Sequence, residues 1–204
     1  CGTELSPVPD RHRQTARLSH PAAVVQPGSP CPVPPRPPER TVSPSLWSAY
    51  LHWPWCRTRC AYCAFNVTTA APQEAAWLDG IRTGWARSRP HFGGAAQALY
   101  FGGGTPSLCS PDTIAGAIAL FPLRSDAEVT LEANPGTIGR GGIEALVDAG
   151  VNRLSIGVQT FQQHHARRLS RGHTVEAARQ LLRQLPDVGL RSWSADLIFS
   201  LPDQ

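Results

Sequence analysis

The sequence contains no methionine and no lysine, and it has no long apolar run. Its 204 residues carry 19 basic side chains, all of them arginine, and 15 acidic ones, for a formal net charge of +4. Because no stretch of about 18 apolar residues is present, the sequence predicts no transmembrane helix. The arginines are scattered along the chain instead of gathered on one helix, which argues against a nucleic-acid-binding protein.

An apolar secretory signal is also missing from the first residues, so we do not expect disulfides to organise the fold. Residues 1–45 are rich in Pro, Arg, Ser and Thr and lack apolar periodicity. Such a composition buries too little surface to offset its ordering entropy, and we expect this segment to be disordered. Its arginine-rich, acid-poor start fits a remnant of a mitochondrial transit segment.

From residue 46 onward, predicted strands alternate with predicted helices. The clearest helical pattern is at 74–88, where apolar residues recur three and four positions apart. Strands are expected at 46–53, 97–101, 128–132, 152–158 and 190–199. This alternation predicts an α/β fold with a parallel sheet and outer helices, either doubly wound or a barrel. Because the chain lacks a first Met and stops soon after a predicted strand, we expect it to be a fragment of a longer protein.

Three of the six cysteines fall within eight residues, directly after the first predicted strand. Cys56, Cys60 and Cys63 have the spacing Cys-x3-Cys-x2-Cys. Thiolates are ligands of iron–sulfur clusters, and three of them on a four-iron cluster leave one iron open to a small molecule. A structural zinc site is the alternative, but zinc prefers four ligands, and His52 or a distant residue would have to be the fourth.

Polar residues at predicted strand ends form a second group of candidates. Gly102–Thr105 lie between a strand and a helix and suit either a tight turn or an anion-binding nest. Glu132 and Gln159 end predicted strands, where a β/α barrel has its active site. Asp196 lies in an apolar run and, if buried, needs a partner; Arg171 is suited to pairing with a carboxylate. Three histidines are expected to be solvated and not to be ligands: His164, His165 and His173.

The cysteine loop, with an aromatic residue before its last cysteine, resembles the signature of radical S-adenosylmethionine (SAM) proteins. The run Tyr50–Cys56 narrows the resemblance to the oxygen-independent coproporphyrinogen oxidases and the related HemW heme chaperones. Four further segments match this group in order, namely Tyr100–Ser107, Thr130–Pro135, Asn152–Gln159 and Asp196–Pro202. The resemblance covers about residues 46–204 and implies an incomplete parallel β/α (TIM-like) barrel, truncated at its C-terminal end in this chain.

The resemblance also implies two cofactors and their contacts. Cys56, Cys60 and Cys63 would hold a [4Fe–4S] cluster, at which SAM undergoes one-electron reduction. By position, the residues implied to contact SAM or shield the cluster are Tyr50, Tyr62, Gly103, Gly104, Thr105, Glu132, Gln159, Arg171 and Asp196.

Phe65 bears on which branch of the group the chain resembles. The oxidases carry a fourth cysteine at this place, whereas phenylalanine resembles the HemW side, including animal mitochondrial members. The resemblance therefore implies a chaperone with heme as bound cargo, and an electron donor and a heme-accepting protein as partners. It implies a mitochondrial location, or the cytoplasm in a bacterium. A coproporphyrinogen oxidase and a non-catalytic metal-binding module remain as alternatives, so whether the chain is an enzyme stays open.

Overall fold

The computed structural model describes residues 46–204, and the segment expected to be disordered, 1–45, lies outside the described residues. The described residues form five strands: β1 (Ser48–Trp53), β2 (Ala96–Gly103), β3 (Leu123–Ala133), β4 (Arg153–Gln159) and β5 (Ser192–Leu197). All neighbouring pairs are parallel, and the strand order in the sheet equals the chain order. Such a stepwise parallel sheet, left open between β1 and β5, is a partial β/α barrel.

Helices cross over between the strands, as parallel pairing requires. They are α1 (Glu74–Ser88), α2 (Pro111–Ile118), α3 (Arg140–Asp148), α4 (Gln163–Arg168) and α5 (Val175–Gln184). Local chemistry fixes two of the starts, because the Ser110 hydroxyl accepts from the Thr113 amide and the Thr174 hydroxyl accepts from the Ala177 amide. None of the described helices is long and apolar enough to span a membrane.

The core lies between the sheet and its helices. Leu99, Phe101, Leu131 and Ile156 are fully buried on the central strands. At the β1 edge the core consists largely of tryptophan side chains. Trp53 and Trp77 meet edge to face at 5.3 Å, and the Trp77 indole donates to the His52 carbonyl at 2.8 Å. This packing fixes the end of β1, from which the cysteine loop begins.

The predicted α/β class and parallel sheet are confirmed, and α1 has the predicted bounds. β3 is longer than predicted and β5 is shorter. β5 is an edge strand with Trp193 and Leu197 exposed. The prediction of solvated histidines was wrong at two positions, because His165 of α4 and His173, whose Nδ1 lies 2.8 Å from Oδ1 of Asn134, are both buried.

Candidate functional site

A cavity of about 330 Å³ opens where the carboxyl ends of the strands meet the cysteine loop. Parallel strands bring their carboxyl ends to one edge of the sheet, so residues distant in sequence converge there. All but one of the predicted site residues line this cavity: Cys56, Cys60, Tyr62, Cys63, Gly103, Gly104, Thr105, Glu132, Gln159, Arg171 and Asp196.

Tyr50 is the predicted site residue that does not line the cavity. It lies on β1 with its ring stacked on that of Tyr100, the centroids 5.8 Å apart. Its hydroxyl is 3.4 Å from Nδ1 of His52, and more than half of the side chain is exposed. Tyr50 therefore packs on Tyr100 and lies outside the lining of the cavity.

Backbone hydrogen bonds hold the cysteine loop at its base and near its middle. The Cys56 amide donates to the Thr68 carbonyl at 2.9 Å, which closes the loop. Between the second and third cysteines, the Ala61 amide donates to the Leu169 carbonyl at 3.2 Å, which joins the loop to the end of α4. The three thiols in the loop are free and half-buried. The loop is thus held over the strand ends at two separate places.

Two side chains from other elements donate hydrogen bonds to the thiols. The Thr105 hydroxyl donates to Sγ of Cys56 at 3.5 Å, and Nη1 of Arg171 donates to Sγ of Cys60 at 3.2 Å. Burial raises the pKa of the Cys56 thiol, and the hydrogen bond from Thr105 opposes that rise. Donors of this kind stabilise a thiolate, which is the form that binds metal.

Arg171 makes further contacts that the sequence did not predict. Its Nη1 also donates to the Tyr62 hydroxyl at 3.1 Å, and its Nη2 donates to the Gly157 carbonyl. Burial raises the pKa of Tyr62 to about 12, against the effect of the neighbouring guanidinium. We expected a carboxylate partner, but the partners of Arg171 among the described residues are a thiol, a phenol and a carbonyl.

The glycine loop braces the entry to the cysteine loop and is not an anion nest. The Gly104 amide donates to the Trp53 carbonyl at 2.7 Å, and the Thr105 amide donates to the Trp55 carbonyl at 2.9 Å. A Cβ on Gly104 would lie 2.6 Å from the Trp55 oxygen and 2.8 Å from the Trp53 oxygen. The nest interpretation was therefore wrong, since these N–H groups are used within the protein.

Glu132 is held at the end of β3 by two donors. The Tyr100 hydroxyl donates to Oε1 at 2.8 Å, and the Gly103 amide donates to Oε2 at 3.1 Å. Burial, followed by the carboxylate of Glu132, strongly raises the pKa of Tyr100. Sequence reasoning missed Tyr100. The pairing of β2 with β3 indicates this contact. Tyr100 lies opposite Thr130, and Glu132 is two residues further along β3, on the same face of the sheet.

Asp196 and Gln159 line the far side of the cavity. Asp196 was expected to be buried, but it is exposed because β5 is an edge strand; its partner is the Ser155 hydroxyl, at 3.0 Å from Oδ1. Gln159 has a φ of +69° at a register irregularity between β4 and β5. Irregularities of this kind re-aim side chains next to functional sites.

The cysteine loop contains no preformed site for a single metal ion. Within residues 46–204, no three His, Cys, Asp or Glu side chains lie close enough together to hold one metal ion. A four-iron cluster does not require this convergence, because each thiolate binds a different iron. His52, the proposed fourth zinc ligand, has its Nε2 2.9 Å from the Asn66 carbonyl and is engaged there.

Comparison with known proteins agrees with this geometry. The radical SAM superfamily profile matches residues 50–204. The chain belongs to the radical SAM superfamily. Membership implies a [4Fe–4S] cluster and SAM as cofactors, and the three free thiols of the cavity match the first of these.

Three similar proteins indicate the branch of the superfamily. The heme chaperone HemW of Escherichia coli is 38% identical over 170 residues, which are 77% of this chain and 43% of that protein. The mitochondrial radical S-adenosyl methionine domain-containing protein 1 of Danio rerio is 36% identical, over 77% of this chain and 37% of that protein. The solved structure of the E. coli coproporphyrinogen III oxidase HemN matches with a TM-score of 0.70 and 31% identity, over 79% of this chain and 39% of that chain. The chain thus spans about two fifths of the length of these relatives.

Proposed function

We propose that this chain is part of a HemW-like heme chaperone in which Cys56, Cys60 and Cys63 hold a [4Fe–4S] cluster with SAM bound beside it. The observation that carries the proposal is that the three thiols line one cavity together with acceptors from three separate strands. Three thiolates ligate three irons, and the fourth iron is left to SAM. The cavity volume of about 330 Å³ suits a small-molecule ligand.

The acceptors around the cavity suit the polar groups of SAM. Glu132 is held by two donors and keeps lone pairs for an ammonium group or a hydroxyl. Gln159 and Asp196 offer an amide and a carboxylate from the neighbouring strands, and we assign them to the ribose and amino groups. Gly103 and Gly104 contribute backbone carbonyl groups to the same contact.

The residues nearest the thiols have a different part in the proposal. Thr105 and Arg171 donate to cysteine sulfur atoms, so they orient the thiolates and stabilise their charge, and they bound the space that SAM occupies. Tyr62 lines the cavity and shields the cluster from water, while Tyr50, beside the cavity, contacts the adenosyl group. When bound, the cluster and SAM supply one-electron chemistry, and the protein orients them and limits solvent access.

Phe65 supports the chaperone over the oxidase. Its ring lines the cavity and is largely exposed, at the position where the oxidases resembled by this sequence carry a fourth cysteine. HemW proteins of E. coli and Synechocystis are 38% and 34% identical to this chain. The second candidate is a coproporphyrinogen oxidase, because the enzyme named as such from Paracoccus denitrificans is 32% identical over 170 residues.

We assign heme as cargo and a heme-accepting protein and an electron donor as partners, by similarity to the HemW proteins. The relatives from Danio rerio, Bos taurus and Mus musculus are named as mitochondrial. We propose the same location for this protein if it comes from an animal, and the cytoplasm if it comes from a bacterium.

Heme titration and a decarboxylation assay test the proposal together. The longest natural form of the protein that contains this chain is loaded with iron, sulfide and SAM under anaerobic conditions. We expect stoichiometric heme binding, followed from the heme absorption band, and no decarboxylation of coproporphyrinogen. Decarboxylated product would assign the oxidase function. Stoichiometric zinc with no response to SAM would leave the non-catalytic metal-binding module.

A further inference from the structure

The surface formed by the cysteine loop and α4 carries four exposed arginines, one of which, Arg59, also lines the cavity. We call this surface the basic face, and its members are Arg57 and Arg59 of the loop and Arg167 and Arg168 of α4. The hydrogen bond from the Ala61 amide to the Leu169 carbonyl joins the loop to the end of α4. The four arginines therefore lie on two segments that contact each other.

Acidic residues are missing from the segments that form this surface. Residues 54–73, 134–140 and 160–175 contain no Asp and no Glu, although the chain has 15 of them. Within residues 46–204, Arg57 and Arg59 donate only to backbone carbonyl groups, of Gly136 at 3.3 Å and of Cys63 at 3.5 Å, so neither has a carboxylate partner there.

One carboxylate does reach the basic face. Asp203 lies 3.1 Å from Arg168, and both side chains are exposed, so this pair is screened by water and salt. The other three arginines have no carboxylate partner within residues 46–204. The two carboxylates of the cavity, Glu132 and Asp196, are engaged by Tyr100, Gly103 and Ser155.

We propose that the basic face is the docking surface for an acidic one-electron carrier protein. The inference rests on the proposed function, which needs one electron delivered to a cluster held by Cys56, Cys60 and Cys63. In this step the reduced carrier loses one electron and the cluster gains it, with no bond made or broken and no proton moved. A carrier on this face contacts the loop that holds the thiols, and complementary charge steers its approach and sets its orientation.

Binding of an acidic [2Fe–2S] ferredoxin to the whole 204-residue chain tests the docking surface without requiring activity. The test variant is Arg57→Glu with Arg167→Glu, and Arg57→Lys with Arg167→Lys keeps the charge. The matched control is Arg87→Glu, an exposed arginine in the last turn of α1, outside both the cysteine loop and α4. Dissociation constants are measured by calorimetry at low and at physiological ionic strength.

We expect the double Glu variant to weaken ferredoxin binding by about tenfold or more, and added salt to weaken binding by the wild type. The Lys variant and the Arg87→Glu control should stay within about threefold of the wild type. Equal affinities for the double Glu variant and the control overturn the proposal. So does a single-stranded oligonucleotide that binds with the same charge dependence while ferredoxin does not bind.

Reduction kinetics on the cluster-loaded chain separate failure of docking from failure of the proposed function. Dithionite is a small reductant that needs no docking surface, so it should bleach the cluster equally fast in the wild type and the double Glu variant. Reduced ferredoxin should act about tenfold more slowly on the variant. Equal rates with ferredoxin contradict the docking surface. If dithionite finds no reducible cluster in the wild type, the proposed function fails, and the binding experiment still decides the docking surface.

Discussion

The Tyr100 hydroxyl donates to the Glu132 carboxylate at 2.8 Å across neighbouring parallel strands. The Gly103 amide holds the other carboxylate oxygen at 3.1 Å, so the carboxyl group has one defined orientation toward the cavity. In a partly buried site such a network is worth more than a single exposed hydrogen bond. The glycine loop and Glu132 thus act as one unit.

Replacing Tyr100 by Phe should weaken SAM binding by about three- to tenfold, because Glu132 loses one of its two donors while the ring is kept. The measurement is equilibrium SAM binding by the cluster-loaded protein. The midpoint of thermal unfolding should change little. An unchanged SAM affinity in a normally folded Tyr100→Phe variant would contradict the assignment of Glu132 to the SAM site.

Replacing Gly104 by Ala should destabilise the fold by about 2 kcal/mol or more and lower the iron content after reconstitution. The new Cβ meets the carbonyl oxygens of Trp53 and Trp55 at under 3 Å, so the backbone entering the cysteine loop must move. The matched control is Gly80→Ala on α1, where nothing lies within 4 Å, and it should stabilise by about 0.5 to 1 kcal/mol. Urea unfolding and iron analysis measure both effects; equal behaviour of the two variants would count against the proposed brace.

Replacing Arg171 by Lys should make the cluster more labile to chelators, by about threefold or more. Lysine keeps the charge but loses the fork that contacts Cys60, Tyr62 and the Gly157 carbonyl together. The rate of iron release to a chelator is the readout. Arg183→Lys on α5, at an exposed position, serves as the control. Identical rates of iron release in both variants would show that Arg171 does not stabilise the cysteine thiolates.

Acid should destabilise the protein through His173. Burial lowers the pKa of His173 to about 4, against about 6.5 in an unfolded chain. Between these values the unfolded chain binds a proton that the folded chain does not. The free energy of unfolding therefore falls as the pH drops from about 6.5 to 4, by about 2 to 3 kcal/mol for this residue.

Urea unfolding at several pH values checks this dependence. His173→Gln should flatten the curve between pH 6.5 and 4, and His91→Gln, at an exposed position, should leave it unchanged. Parallel curves for the wild type and His173→Gln would show that His173 does not contribute.

Strong local patterns made some elements predictable from the sequence. The apolar period of 74–88 predicted α1 with its bounds, and Ser110 and Thr174 predicted two helix starts, because these signals act within a few residues. The parallel alternation also placed Glu132 and Gln159 at the ends of predicted strands, and the family resemblance added Asp196 to the same site. Their convergence follows from topology and needs no knowledge of packing.

Features that depend on distant partners were not predictable in the same way. The glycine-rich sequence is compatible with an anion-binding nest, but the amides of Gly104 and Thr105 donate to the carbonyls of Trp53 and Trp55. These partners lie about 50 residues earlier in the chain, so the local sequence does not indicate them. The exposure of Asp196 depends on β5 being an edge strand, which composition does not reveal. The contact of Arg171 with Cys60 joins residues 111 positions apart, and no local pattern encodes it.

Anaerobic reconstitution with iron and sulfide tests the central claim most directly. About four irons per chain should be bound, with a spectrum that changes on adding SAM. Replacing Cys56, Cys60 and Cys63 together by Ala should abolish iron binding, whereas Cys109→Ala, at a buried position outside the cavity, should retain it. Iron binding that survives the triple replacement, or a folded wild type that binds zinc and shows no response to SAM, would contradict the account.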